Sequence, residues 1–197
     1  MFSANGSLHK IKATGDSLTQ LTNSASHIGP SWSPDGTRIA FRSGGIRTLH
    51  LATGQQTTIV PAGDYPTWTS TGLILFVTSS SAGANWDYFF ETIDTTGGQR
   101  QTLYQVRTSE DCAFSSVNRA GTHLVFSAAR IDGSDRAQIV LINLSNVQGV
   151  KLTVDGGDYP AWSPDGSEIV YTRSAKGDGE LWIMNADGSD KRRLTQP

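Results

Sequence analysis

Short runs of alternating apolar and polar residues recur along the whole chain, with Ile39-Ala40-Phe41 and Glu168-Ile169-Val170-Tyr171 the clearest. A period of two, enriched in β-branched and aromatic residues, predicts strands. The runs are bounded by turn chemistry. In Ser33-Pro34-Asp35-Gly36 and again in Ser163-Pro164-Asp165-Gly166, proline sets the backbone of the second position and glycine supplies the left-handed conformation that closes a hairpin. Residues 179–186 and 190–195 add two further strands, joined by an Asp-Gly-Ser turn.

Anchored on the turn glycine, four segments align, beginning at Pro30, Pro66, Ser115 and Pro160. Their anchors Gly36, Gly72, Gly121 and Gly166 are 36, 49 and 45 residues apart, a period that marks solenoids and propellers. Four antiparallel strands per unit, with aromatic and glycine landmarks at fixed places, read as the blade of a β-propeller. A lone blade cannot bury both faces, so the blades must stack.

The motif Trp-Ser-Pro-Asp-Gly, the runs Ile39-Ala40-Phe41 and Ile169-Val170-Tyr171, and the segment Leu181 to Thr195 resemble the WD-like propeller repeat of the TolB family. That repeat is also found in the propellers of tricorn-type and prolyl-oligopeptidase-type peptidases. The resemblance spans the chain, and the third copy departs most, with Val117 where the others carry Trp32, Trp68 and Trp162. It implies an all-β propeller and a habit of binding at the mouth of the central channel. TolB itself works in the Gram-negative periplasm beside a peptidoglycan-associated lipoprotein, so the resemblance favours a periplasmic or secreted protein.

Leu8 to Thr22 aligns without a gap to Leu181 to Thr195, which makes it the outer half of a blade. The expectation is therefore a single propeller domain over 1–197: a half blade at 1–22 and four full blades at about 23–60, 61–105, 106–154 and 155–197. A fragment of a larger propeller, a small irregular ring, and a homo-oligomer in which a second chain completes the open ring all remain consistent with this count.

Charge changes the picture little. Sixteen Lys and Arg against 18 Asp and Glu leave a net charge of -2, so nothing marks nucleic acid as a partner. No apolar run is long enough for membrane insertion, and the start has no signal-peptide core. The single cysteine, Cys112, forms no internal disulfide.

Catalytic constellations are not visible, and the sequence reads as a non-enzyme without cofactor or metal. The tetrapeptide Gly15-Asp16-Ser17-Leu18 matches a lipase nucleophile signature, but no Asp-x-x-His pair follows, and Gly15 falls on the slot of the turn glycine Gly188. His9, His27, His50 and His123 lack metal-site spacing. The stronger candidate is Gly-Asp-Tyr-Pro, which occurs at 63–66 and 157–160 immediately before the innermost strands. Asp64, Tyr65, Asp158 and Tyr159, with Asp111 and His27 nearby, are expected to form an acidic, aromatic rim suited to a basic peptide, a cation or a polar ligand, unless the Asp residues cap their own loops and the Tyr rings pack between blades. Two long loops are expected on the same face: Ser79 to Asp87, presenting Trp86 as an interface residue, and Ala129 to Ala137, with Arg130, Asp132 and Asp135. The primary reading is a protein or peptide interaction module. The alternatives are an enzyme-associated propeller, either the gating domain of a peptidase or a lyase whose His27, Asp64, Asp111 and Asp158 converge on a metal, and a bare scaffold.

Overall fold

The computed structural model describes residues 1–24, 26–130, 136–175 and 178–195, and every regular element among them is a β-strand. The strands form five sheets in chain order. The first holds β1 (Phe2–Ala4), β2 (Ser7–Lys10) and β3 (Thr19–Gln20). The second holds β4 (Ile28–Trp32), β5 (Arg38–Arg42), β6 (Ile46–His50) and β7 (Gln56–Val60). The third holds β8 (Asp64–Trp68), β9 (Ile74–Ala82), β10 (Asn85–Ile93) and β11 (Gln101–Thr108). The fourth holds β12 (Glu110–Val117), β13 (His123–Arg130), β14 (Gln138–Asn143) and β15 (Gln148–Lys151), and the fifth β16 (Asp158–Trp162), β17 (Glu168–Ala175), β18 (Asp178–Asn185) and β19 (Arg192–Arg193). Each sheet is a meander of neighbouring antiparallel strands, the blade that the repeat predicts.

The count of four and a half is corrected to five blades, the first of them three-stranded. Phe2 pairs with His9, Ser3 with Leu8 and Ala4 with Ser7, giving the first sheet a strand that the alignment did not supply. Its cause is local: Asn5 (φ 50°) and Gly6 (φ 72°) are both left-handed, as a two-residue hairpin turn requires.

The chain divides into two compact units, Met1–Thr78 with Glu91–Gln101, and Ser79–Phe90 with Thr102–Pro197. In the first unit, β5 is buried on both faces. Ile39 and Phe41 pack with Leu8 and Leu49, while Ala40 packs with Ile46, Val60, Ile74, Phe76 and Ile93. Alternation thus serves two neighbouring blades at once, and each fully buried Phe or Ile contributes about 1.5–3 kcal/mol. In the second unit the equivalent core joins Val125, Ile139 and Leu152 to Ile169, Tyr171 and Met184.

The Ser-Pro-Asp-Gly turns are built alike. Ser33 donates to the Asp35 carboxylate at 2.6 Å, which also accepts the Thr37 backbone N–H at 3.0 Å. Ser163, Asp165 and Ser167 repeat the pattern at 2.6 and 3.0 Å. These hydrogen bonds, the serine hydroxyl's foremost, hold both carboxyls down at about 2.

The expected loop at 79–87 is corrected to a hairpin. β9 and β10 run to Ala82 and Asn85, so Trp86 lies within a strand, 38% exposed. Its polar flanks disguise the strand, because backbone pairing continues where core-facing side chains have stopped. Of the other expected loop, Arg130 ends β13, and Asp132 and Asp135 lie outside the described residues.

Candidate functional site

The first strand of each four-stranded blade carries the same irregularity. Pairing slips between Ile28 and Ser31, Asp64 and Thr67, Ala113 and Ser116, and Asp158 and Ala161. At each slip one residue is left-handed: Gly29 (φ 60°), Tyr65 (φ 54°), Phe114 (φ 47°) and Tyr159 (φ 54°). Such bulges re-aim side chains and are common beside functional sites. Glycine accepts this backbone freely, whereas a bulky aromatic there costs about 1–3 kcal/mol. Three blades thus hold an aromatic ring where glycine would be less strained. In three of the four bulges the next residue is proline, which has no N–H to leave unpaired.

In the second unit this device opens onto a cavity of about 440 Å³ lined by Arg136, Ala137, Gly156, Gly157, Asp158, Tyr159, Thr172 and Gly179. Tyr159 is 54% exposed, and its ring lies 3.8 Å, centroid to centroid, from that of Phe114 in the preceding blade. Its backbone N–H donates to Ser127 Oγ (3.1 Å) and Asp158 Oδ1 (2.9 Å), which fixes the bulge. Burial, then the charge of Asp158, raises the Tyr159 phenol, keeping it a neutral donor. Asp155 is neutralised by Arg173, whose guanidinium also lies 4.8 Å over the Trp182 ring. Asp158 forms no ion pair among the described residues.

The first copy differs. Asp64 pairs with Arg42 of the preceding blade, both side chains 44% exposed. Ser127 stands at the corresponding position of the fourth blade, since Arg42 pairs opposite Ile28 and Ser127 opposite Ala113. Tyr65 is half-buried and shares the left-handed conformation of Tyr159. Gly63 has φ 122°, and a Cβ there would lie 2.9 Å from the Phe76 ring.

The remaining candidates have other surroundings. His27 is not on a rim: it is 5% exposed against Phe41, at 4.7 Å, and burial followed by the Arg47 charge lowers its pKa. Asp111 precedes the bulge in β12 and accepts a hydrogen bond from Tyr88 Oη at 2.9 Å. Burial, then Asp111, pushes the Tyr88 phenol well upward. Asp87, beside Trp86, is held by Arg107 at 2.7 and 2.8 Å. The convergence that a metal-assisted lyase requires is not found: among the described residues no three His, Cys, Asp or Glu side chains come together to hold a metal. Gly15 (φ 88°) and Ser17 (φ 58°) lie in the turn between β2 and β3, closed by the Lys12 N–H donating to the Asp16 carbonyl. Cys112 is 2% exposed, its thiol pushed up to about 12 by burial and then by Glu110 and Asp111.

Sequence reasoning missed Phe114, Arg42 and Arg136. Phe114 was legible: aligned on the tryptophan slot, it falls under Tyr65 and Tyr159, but Val117 hides that slot. Arg42 and Arg136 are remote in sequence from the residues they approach, and no spacing announces them.

Five blade sheets, the four four-stranded ones with bulged first strands, define a TolB-like β-propeller. The chain aligns over 96% of its length with TolB from Acinetobacter baumannii, at a TM-score of 0.77 and 20% identity, covering 48% of that chain. A puromycin-hydrolyzing peptidase from Mycobacterium tuberculosis matches 91% of this chain with a TM-score of 0.60 and 14% identity, over 30% of its own length. No model of a known protein family matches. Among curated proteins, the "Uncharacterized peptidase YuxL" of Bacillus subtilis (strain 168) is 26% identical over 171 residues, 81% of this chain and 23% of that protein. The chain thus spans under a quarter of the length of that curated relative. The match to a curated protein named as a peptidase corrects the expectation of a non-enzyme. Motif reading reached the opposite view because no residue pattern along the chain names a catalytic constellation.

Proposed function

We propose that the chain is an enzyme-associated propeller of the peptidase type, whose bulged first strands hold peptide and govern its access to catalysis. The observation that carries this reading is the cavity at the second Gly-Asp-Tyr-Pro, where a strained, exposed Tyr159 and the carboxylate of Asp158 face open space. Its volume lies within the range of about 300–1,000 Å³ usual for ligand sites. Backbone strain held at an exposed aromatic is the kind of feature that clusters at ligand clamps. The relative named as a peptidase supplies the substrate class. Enclosing a peptide beside the blades would order it before reaction, lowering the entropy lost in the chemical step.

Calorimetric titration of the protein with tri- to hexapeptides tests the reading. Binding with Kd between micromolar and millimolar is expected, together with at least a fivefold loss on Tyr159→Ala at unchanged melting temperature. Peptides that fail to bind at millimolar concentration would sink it.

A further inference from the structure

We infer, resting on the peptide-handling reading above, that the second Gly-Asp-Tyr-Pro copy is a subsite for a peptide ending in a free basic residue, Asp158 and Tyr159 taking the cationic side chain and Arg136 the terminal carboxylate. The two Asp residues share a motif but not a charge state of their surroundings. Asp64 is matched by Arg42, whereas Ser127 replaces that arginine beside the second copy and spends its hydroxyl on the Tyr159 backbone. The other nearby carboxylate, Asp155, is matched by Arg173. The second copy therefore keeps one carboxylate that forms no ion pair among the described residues, next to a tyrosine that is 54% exposed. A guanidinium or ammonium placed between them gains a charge-assisted hydrogen bond to Asp158 and a cation–π contact with Tyr159. Phe114 at 3.8 Å backs the tyrosine ring and fixes its face.

Arg136 completes the complementarity. It is exposed and lines the same cavity, its Cδ 3.4 Å from where a Cβ of Gly156 would lie, so the bare glycine leaves room for the side chain to pass. Gly156, Gly157 and Gly179 in the lining contribute backbone rather than side chains. Among the described residues of the lining there is one anion and one cation, and such a cavity selects a ligand that carries both. Within a peptide, a C-terminal Arg or Lys with its free carboxylate does so on a single residue, and Arg136 is suited to grip the carboxylate by a two-point hydrogen bond.

The test is titration of the full chain, at low ionic strength, with Ala-Ala-Arg, its C-terminal amide and Ala-Ala-Ala. Ala-Ala-Arg is expected to bind about tenfold more tightly than either, the fold-change of one charge-assisted hydrogen bond. Asp158→Asn should erase the preference for Arg over Ala, and Arg136→Ala the preference for the free acid over the amide. Melting curves of both variants establish that they fold, and the three wild-type titrations decide the matter if either does not. Equal binding of all three peptides would overturn the subsite while leaving the peptide-handling reading intact. Binding of none overturns both, and a preference for the amide overturns the role of Arg136.

Discussion

The two Gly-Asp-Tyr-Pro segments show how far identical sequence fixes backbone and how little it fixes chemistry. Both place Asp at the start of a first strand, slip the ladder over the following residues and hold Tyr at φ 54°. Yet one carboxylate is closed by Arg42 and the other opens on a cavity that Arg136 also lines. Local motif sets local conformation. The neighbouring blade, contributing arginine in one unit and serine in the other, decides whether the motif's carboxylate meets a cation there.

The largest expected effect separates the copies by packing. Gly63→Ala combines a disfavoured φ of 122° with a Cβ 2.9 Å from the Phe76 ring and should destabilise by about 3 kcal/mol. Gly157→Ala meets Ile139 Cγ1 at 2.8 Å from a backbone that is not left-handed, and should cost only about 1–2 kcal/mol. Urea denaturation of the two variants compares them directly; equal losses would mean the copies are packed alike.

Opening the closed copy comes next. Arg42→Ala removes a half-exposed ion pair, so stability should change by less than about 1 kcal/mol. Asp64 would then resemble Asp158, and titration with Ala-Ala-Arg should gain a second, weaker site. Unchanged stoichiometry would show that something other than Arg42 closes it.

The smallest effect is one in which the two halves should agree. Asp35 and Asp165 are both depressed from 3.8 to about 2 by hydrogen bonds formed only in the folded turn. The folded carboxyls hold protons less tightly than the unfolded ones, so this stabilisation is present above about pH 4 and is lost as pH falls toward about 2. Asp35→Asn and Asp165→Asn should flatten the acid limb of the melting profile by equal amounts. An unequal response would show that the turns are less alike than their hydrogen bonds.

The sequence allowed the blades to be read because period-two alternation and Pro-Asp-Gly turns are local, although β11 runs to Thr108, past the expected blade boundary at 105. The extra first strand was also readable, since Asn5-Gly6 is a strong hairpin signal, but alignment to a later repeat drew attention past it. The Trp86 hairpin was obscured by its polar composition, which carries no alternation to detect. Of the site, Asp158 and Tyr159 were visible as motif residues. Arg42, Arg136 and Phe114 act through neighbouring strands, and such pairing is set by blade stacking rather than by spacing. His27 looked like a rim residue because it sits just before a first strand, but the Phe41 ring covers it.

Cys112 carries a practical consequence. At 2% exposure, and with its thiol raised to about 12, it holds almost no thiolate at neutral pH and resists alkylating dyes. The protein is therefore expected to react only slowly with maleimide at neutral pH without removal of its own sulfur. A cysteine placed at the 89% exposed Val154, close in sequence to Gly156 and Asp158, would take a fluorophore selectively and report occupancy of the cavity by a change in emission.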